Sequence, residues 1–214
     1  MSREQSHTAI ILKKQPFGEA DEIITFFTRE SGKLRGLAKS VKLAKSKLQN
    51  SLQSLFVVQI SLAGKGHLPQ IIAAEPQKVF SGLRQDLEAL KGAFYAAELV
   101  LKFTPDAQKD EGLFDLLAGF LEFLDSHPSF REAALAKLKI DFLQLEGFSA
   151  ASHRDLAQKP DLLKLCQKLE VTGFNELPAL DLKGLTPLQE FLSEFIVYNL
   201  ERQLKSERFL KDSV

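Results

Sequence analysis

The side chains with which this chain could do covalent or metal chemistry are four histidines, one cysteine and a few adjacent carboxylates. His7, His67, His127 and His153 fall one to a region, none at ligand spacing from another, and Cys166 stands alone. Neither a zinc site nor a nucleophile with its base can be assembled from them. Asp21-Glu22 and Asp110-Glu111 lie in polar stretches where solvation accounts for them. The nearest approach to a phosphate cradle, AGKGHLP at 63–69, lacks the GxxxxGK[ST] spacing and carries the glycines of a hairpin turn. The expectation is a protein that binds rather than one that turns over a substrate, with no metal and no cofactor.

Binding chemistry is concentrated in SGKLRGLAKSVKLAKSK, residues 31–47, where Lys33, Arg35, Lys39, Lys42, Lys45 and Lys47 occur without a single acid. The whole chain has 28 bases and 28 acids, so its total charge favours no partner. The distribution does. Residues 1–80 hold twelve bases against six acids, a net of +6, which leaves −6 for the remainder, and no Asp or Glu falls between Ser31 and Ala74. Opposite signs on two parts of one chain are expected when one part meets a polyanion. Lys13, Lys14, Arg29 and Lys65 extend the basic surface of the first part.

The elements that must position these bases change character near residue 80. Before it, TAIILKK, EIITFFTRE, KLRGLAKS, SLFVVQISLA and LPQIIAAE are short runs rich in Ile, Val, Phe and Thr, which predict five strands. Pro16-Phe17-Gly18, Ser31-Gly32 and Gly64-Lys65-Gly66 supply turns, and Ser46 to Ser54 is polar and loop-like. Five short strands without room for crossover helices favour a closed barrel, with the oligonucleotide-binding (OB) barrel as leading candidate. After Glu75-Pro76 the apolar residues recur at three and four, as in Leu83, Leu87, Leu90, Phe94, Ala97 and Leu101 and again from Leu113 to Leu124. Further helices are predicted over 129–145, 155–170 and 186–210. The fold class is α+β: a five-stranded OB barrel over 1–79, then an α-helical domain over 80–214.

In such a barrel the basic run occupies strand 3 and the loop after it, and strands 2 and 3 form a common oligonucleotide face. A single strand there is held by lysines along its phosphates and by apolar faces under its bases. Phe17, Phe26 and Phe27 are available as faces, although the adjacent Phe26 and Phe27 point to opposite sides, so one belongs to the core. The 44% hydrophobic composition with 17 Phe is enough for a core, and no apolar run reaches the ~20 residues of a membrane span. The N-terminal MSREQSHTAIILKK lacks a signal peptide's order of segments, which predicts a cytoplasmic protein. Cys166, at helical spacing from Leu162, Leu163 and Leu169, is expected to be packed.

The segments AIILKKQPFGEADEIITFFTRESGKLRGLAKSVKLAKSK, LAKLKIDFLQLEGF and LERQLKSERFLKDS resemble, in their order, the strand, acidic turn, basic loop, leucine-rich helix and closing motif of the RecO family. The resemblance implies a recombination mediator in DNA repair, cytoplasmic and associated with the nucleoid. It would bind single-stranded and duplex DNA, anneal complementary strands and help load a RecA-type recombinase onto DNA coated by single-strand binding protein (SSB). Implied partners are the C-terminal tail of SSB, RecR and, as a further candidate, RecF. A general OB-fold RNA-binding protein or a scaffold is the alternative.

Two departures from the family pattern stand out. Many members carry a four-cysteine zinc site in the helical domain, whereas residues 149–166 here read SAASHRDLAQKPDLLKLC, which predicts a shortened loop or helix packing in its place. The family's glycine after "AK" is Ser40, so the backbone there is expected to reach positive φ less freely. In FREAALAKLKIDFLQLEGF, Leu135, Leu138, Phe142 and Leu145 make one apolar stripe. Either the stripe is core, or it is a slot for the terminal phenylalanine of the SSB tail with Arg131, Lys137 and Lys139 as its basic rim.

Overall fold

The structure, a computed structural model, describes residues 4–64, 66–179, 183–200 and Ser206. The predicted strands form as β1 (Gln5–Phe17), β2 (Asp21–Thr28), β3 (Gly32–Ala38), β4 (Val57–Ala63) and β5 (Gln70–Lys78), closed into a barrel in the order β1-β2-β3-β5-β4. All pairings are antiparallel except β3 with β5, which closes the barrel through a parallel pairing of Leu37 with Gln70. This is the OB barrel. Alternate residues turn inward, so that Ala9, Ile11, Ile24, Phe26, Ala38, Val58, Ile60 and Ile71 fill the interior. Gly36 is required at the closure: a Cβ there would lie 2.7 Å from the Ile71 side chain and 3.3 Å from that of Phe26. The stretch expected to be loop between Ser46 and Ser54 contains a short helix, α1 (Lys47–Ser51), and Leu52 and Phe56 just after it pack into the barrel core. The polar surface of that stretch hid the apolar residues that anchor it.

By its contacts the chain divides into two compact units, the first comprising the chain up to Phe80 together with Phe103–Phe114. That later segment lies over the outer face of β2 and β3. Asp106 bridges to Lys33, the Ala107 amide donates to the Lys33 carbonyl at 2.8 Å, and the Phe114 ring stacks on Phe27 with centroids 6.5 Å apart. Gly32, at φ +69°, admits the segment, since any Cβ there would overlap the Gln108 carbonyl.

The second unit is helical, formed from α2 (Leu87–Phe103) up to Lys102, α3 (Glu111–Ser126) from Asp115, α4 (Arg131–Leu145), α5 (Arg154–Ala157), α6 (Pro160–Val171) and α7 (Leu185–Leu200). Asp86 caps α2 by accepting from the Ala89 amide, and Asp110 caps α3 by accepting from that of Leu113. The single helix predicted over 155–170 is two, because Pro160 can open a helix but cannot continue one. The end of the predicted helix 186–210 lies outside the described residues.

Residues 149–166, the stretch expected to be a shortened loop or helix packing, contain α5 and the start of α6. Ala150 and Leu156 are buried, the His153 Nδ1 accepts from the Asp155 amide to open α5, and the His153 ring lies 4.9 Å from that of Phe195 and 5.5 Å from that of Phe191.

Candidate nucleic-acid interface

Strand register brings the first bases together. Lys13 pairs with Thr25, and Thr25 with Arg35, so the three occupy one row across β1, β2 and β3. The neighbouring row, Ile24 with Gly36, faces the interior, which sets Lys13 and Arg35 on the outer surface. Both are exposed, and Arg35 lies 3.9 Å from the exposed Asp106 carboxylate. Beyond Ala38 the chain leaves the barrel as a loop that runs into α1, and Lys39, Lys42 and Lys45 on the loop and Lys47 at the start of α1 are all exposed. The Ser40 amide donates to the Asp21 carboxylate at 2.7 Å, and that of Lys42 to the Ala20 carbonyl at 3.0 Å, pinning the loop to the β1–β2 turn. Contrary to the expectation for a residue without glycine's freedom, Ser40 sits at φ +52°, and its bond to Asp21 holds it there.

Other expected bases are placed differently. Lys33 is buried, its Nζ donating to the Thr104 carbonyl at 2.5 Å and lying 3.3 Å from Asp106, so it fastens the 103–114 segment instead of presenting a charge to solvent. Lys14 shares the face of Ile24 and Glu22 and pairs with Glu22 at 3.4 Å. The Arg29 guanidinium lies over the Phe114 ring, 4.8 Å from its centre. Lys65 lies outside the described residues. Of the expected bases among the described residues, the fully exposed ones are thus Lys13, Arg35, Lys39, Lys42, Lys45 and Lys47. Of the three aromatics, both Phe26 and Phe27 are fully buried, one inside the barrel and the other beneath Phe114, which leaves Phe17 exposed. One of the adjacent pair points into the barrel, as expected, but the other offers no stacking face because the outer face of β2 has its own cover.

The apolar stripe of α4 is core for most of its length. Leu135, Leu138 and Phe142 are buried, and Leu145 is exposed at the helix end. Its lysines are buried too, so of the two readings the stripe is core and not an open slot for an acidic tail, and the lysines that both readings put in solvent lie inside. Lys137 bonds Asp141 at 2.5 Å, and Lys139 donates to Gln189 and Ser193, each at 2.8 Å, with its Nζ 5.0 Å from the centre of the Tyr95 ring. Arg131 pairs with Glu88 and Glu132. The signal was present in the sequence: Ala133, Ala134, Ala136, Ile140 and Leu143 make the rest of α4 small or apolar, so the helix has no true solvent face. Asp141 carries the strain of this interior, since burial raises its carboxyl above the usual range against the opposing pull of Lys137. Burial, with Glu170 nearby, pushes the Cys166 thiol up to about 12. A cleft of about 270 Å³ between Glu122, Phe123, His127 and Phe174 contains no Lys or Arg to meet an anionic peptide. Among the described residues no three His, Cys, Asp or Glu side chains gather into a possible metal site, and no helix is long and apolar enough to cross a membrane.

A family model described as Recombination protein O N terminal matches residues 1–80, and one described as Recombination protein O C terminal matches residues 84–159. The chain belongs to the RecO family. Among its relatives, a protein named DNA repair protein RecO from Dehalococcoides mccartyi (strain CBDB1) is 36% identical over 140 residues, covering 65% of this chain and 55% of the relative. Its namesake from Gloeobacter violaceus is 37% identical over 127 residues, covering 59% and 49%, and that from Gloeothece citriformis is 38% identical over 179 residues, covering 82% and 63%. The match to the first two thus spans about half of their length. The RecO N-terminal match ends where the first contiguous barrel segment ends, at Phe80, but the unit itself takes in Phe103–Phe114 as well.

Proposed function

We propose that this RecO-family chain is a DNA-repair protein acting as a recombination mediator without catalytic turnover. In this reading a single strand lies along the row of Lys13 and Arg35, beyond the cover of residues 103–114, and along the stretch 39–47, its phosphates neutralised by Lys13, Arg35, Lys39, Lys42, Lys45 and Lys47. The observation that carries the reading is the acid-free stretch from Ser31 to Ala74 folded onto an OB barrel with its loop lysines exposed. Neutralising phosphates on two strands lowers their mutual repulsion, the physical route to annealing, and the same backbone contacts serve duplex DNA. Family membership supports RecR, RecF and the SSB tail as partners, a cytoplasmic, nucleoid-associated place, and assistance in loading a RecA-type recombinase. For the SSB tail it is the sole support, since the α4 side chains expected to receive it are packed inside.

The test is annealing of complementary strands coated with cognate SSB, with and without the protein. Acceleration supports the mediator reading; no acceleration, with free strands also unaffected, overturns it. Competition between single-stranded DNA and RNA of the same sequence separates it from a general RNA-binding OB protein, which would favour the RNA.

A further inference from the structure

Phe17 has 49% of its surface open to solvent and Leu43 54%, although neither is at a chain end. Phe17 closes β1 opposite Asp21, the residue whose carboxylate holds the Ser40 amide, and Leu43 follows Lys42, whose amide is bonded to Ala20. The turn bearing the phenyl ring and the loop bearing the lysines are therefore one tied assembly. The barrel interior takes Phe26 and Phe56 but not Phe17. We propose that Phe17 and Leu43 form an apolar ledge that stacks unpaired bases of a single strand while Lys39 and Lys42 hold the adjoining phosphates, so that the ledge selects single-stranded over duplex nucleic acid. This rests on the DNA reading above.

Charge names the occupant. In this neighbourhood Asp21 is engaged with Ser40 and Glu22 with Lys14, and Glu19 in the β1–β2 turn is exposed, so exposed lysines outnumber exposed acids there. A ligand that is anionic along its length and apolar in its flat faces matches both halves of the surface, and an unpaired strand has that chemistry. Duplex DNA hides the faces of its bases and would meet only the lysines. Holding Ser40 at φ +52° keeps the loop against the turn at a local conformational cost, as expected where a surface is preorganised.

The chain contains no tryptophan, so Phe17→Trp places a single reporter on the ledge. The full-length variant is titrated with oligo(dT) of about 12 nucleotides, within the site size of an OB fold, and with an abasic deoxyribose-phosphate oligomer of equal length. Binding is followed independently by the anisotropy of a dye on each oligomer. The ledge predicts quenching by oligo(dT) and not by the abasic oligomer. It also predicts roughly tenfold weaker oligo(dT) binding for Phe17→Ala and for Leu43→Ala, with abasic binding unchanged. Oligo(dT) bound without quenching, and with the alanine variants binding as the parent does, overturns the ledge and leaves the phosphate interface standing. Equal loss of both oligomers also overturns it, because the residues would then act through loop shape. If the parent binds neither oligomer, the DNA reading falls with it.

Discussion

Lys33 and Lys39 belong to one basic run, yet the structure assigns them opposite duties, and replacing each by methionine separates the two. At position 33 methionine keeps the aliphatic stem but removes the ammonium that donates to Thr104 and faces Asp106. A hydrogen bond from a charged donor contributes about 1.5–3 kcal/mol. Asp106 is 60% exposed, so its ion pair adds no more than about 1 kcal/mol. Relief of the buried ammonium's desolvation offsets part of this, leaving a net loss of about 2 kcal/mol. With a urea dependence of about 2 kcal/mol/M, the unfolding midpoint of the barrel should fall by about 1 M in circular dichroism. Salt dependence of single-strand binding should be unaffected. Lys39→Met should do the reverse, leaving the midpoint in place and reducing the slope of log affinity against log salt by about 0.7. If Lys33→Met leaves the midpoint unchanged and lowers the salt slope, Lys33 contacts phosphate and its burial has been misjudged.

For the parent protein, four to six phosphate contacts give a salt slope of about −3 to −4, and the triple variant Lys39→Glu, Lys42→Glu, Lys45→Glu should lose most DNA binding while keeping its circular dichroism spectrum. With its thiol pushed up to about 12, Cys166 should resist a thiol-specific disulfide reagent in the native protein and react promptly once urea unfolds it. Because the Asp141 carboxyl is raised, the native state binds its proton more tightly than the unfolded chain does, so this group's contribution to stability falls as pH rises through the carboxylate range; Asp141→Asn should flatten that part of a plot of thermal midpoint against pH. Elemental analysis should find no stoichiometric zinc, and a chelator should leave the helical signal intact.

The barrel was legible because local rules agreed with the global fold: alternating apolar residues set the strands, and turn residues between them set their ends. The interface was legible only as charge. What the pattern could not carry was which side chains a distant segment covers. Phe27 and Lys33 sit on strands whose outer face looks solvated until residues 103–114, on the far side of α2, are laid over it. A similar gap misled the reading of α4. Apolar spacing marked one stripe correctly, but Lys137 and Lys139 were assigned to solvent, whereas Asp141 on the same helix and Gln189 and Ser193 on α7 supply partners that let them remain inside. The Pro160 break, by contrast, was readable from local chemistry and was missed by following the apolar period through it.

Completion of the barrel unit by Phe103–Phe114 also sets a timetable during synthesis. The last strand ends at Lys78, but Phe114 lies 36 positions further along the chain. At translation rates of about 5–20 residues per second, roughly 2 to 7 seconds separate the two on the ribosome. Through that interval a nascent barrel would present the ring of Phe27 without its cover, and for the earlier part of it, until Thr104 and Asp106 are made, the ammonium of Lys33 without its partners. The barrel strands therefore emerge before the unit can be completed, and slowing translation between Lys78 and Phe114 should lengthen the time for which a chaperone that recognises exposed aromatic surface can hold it.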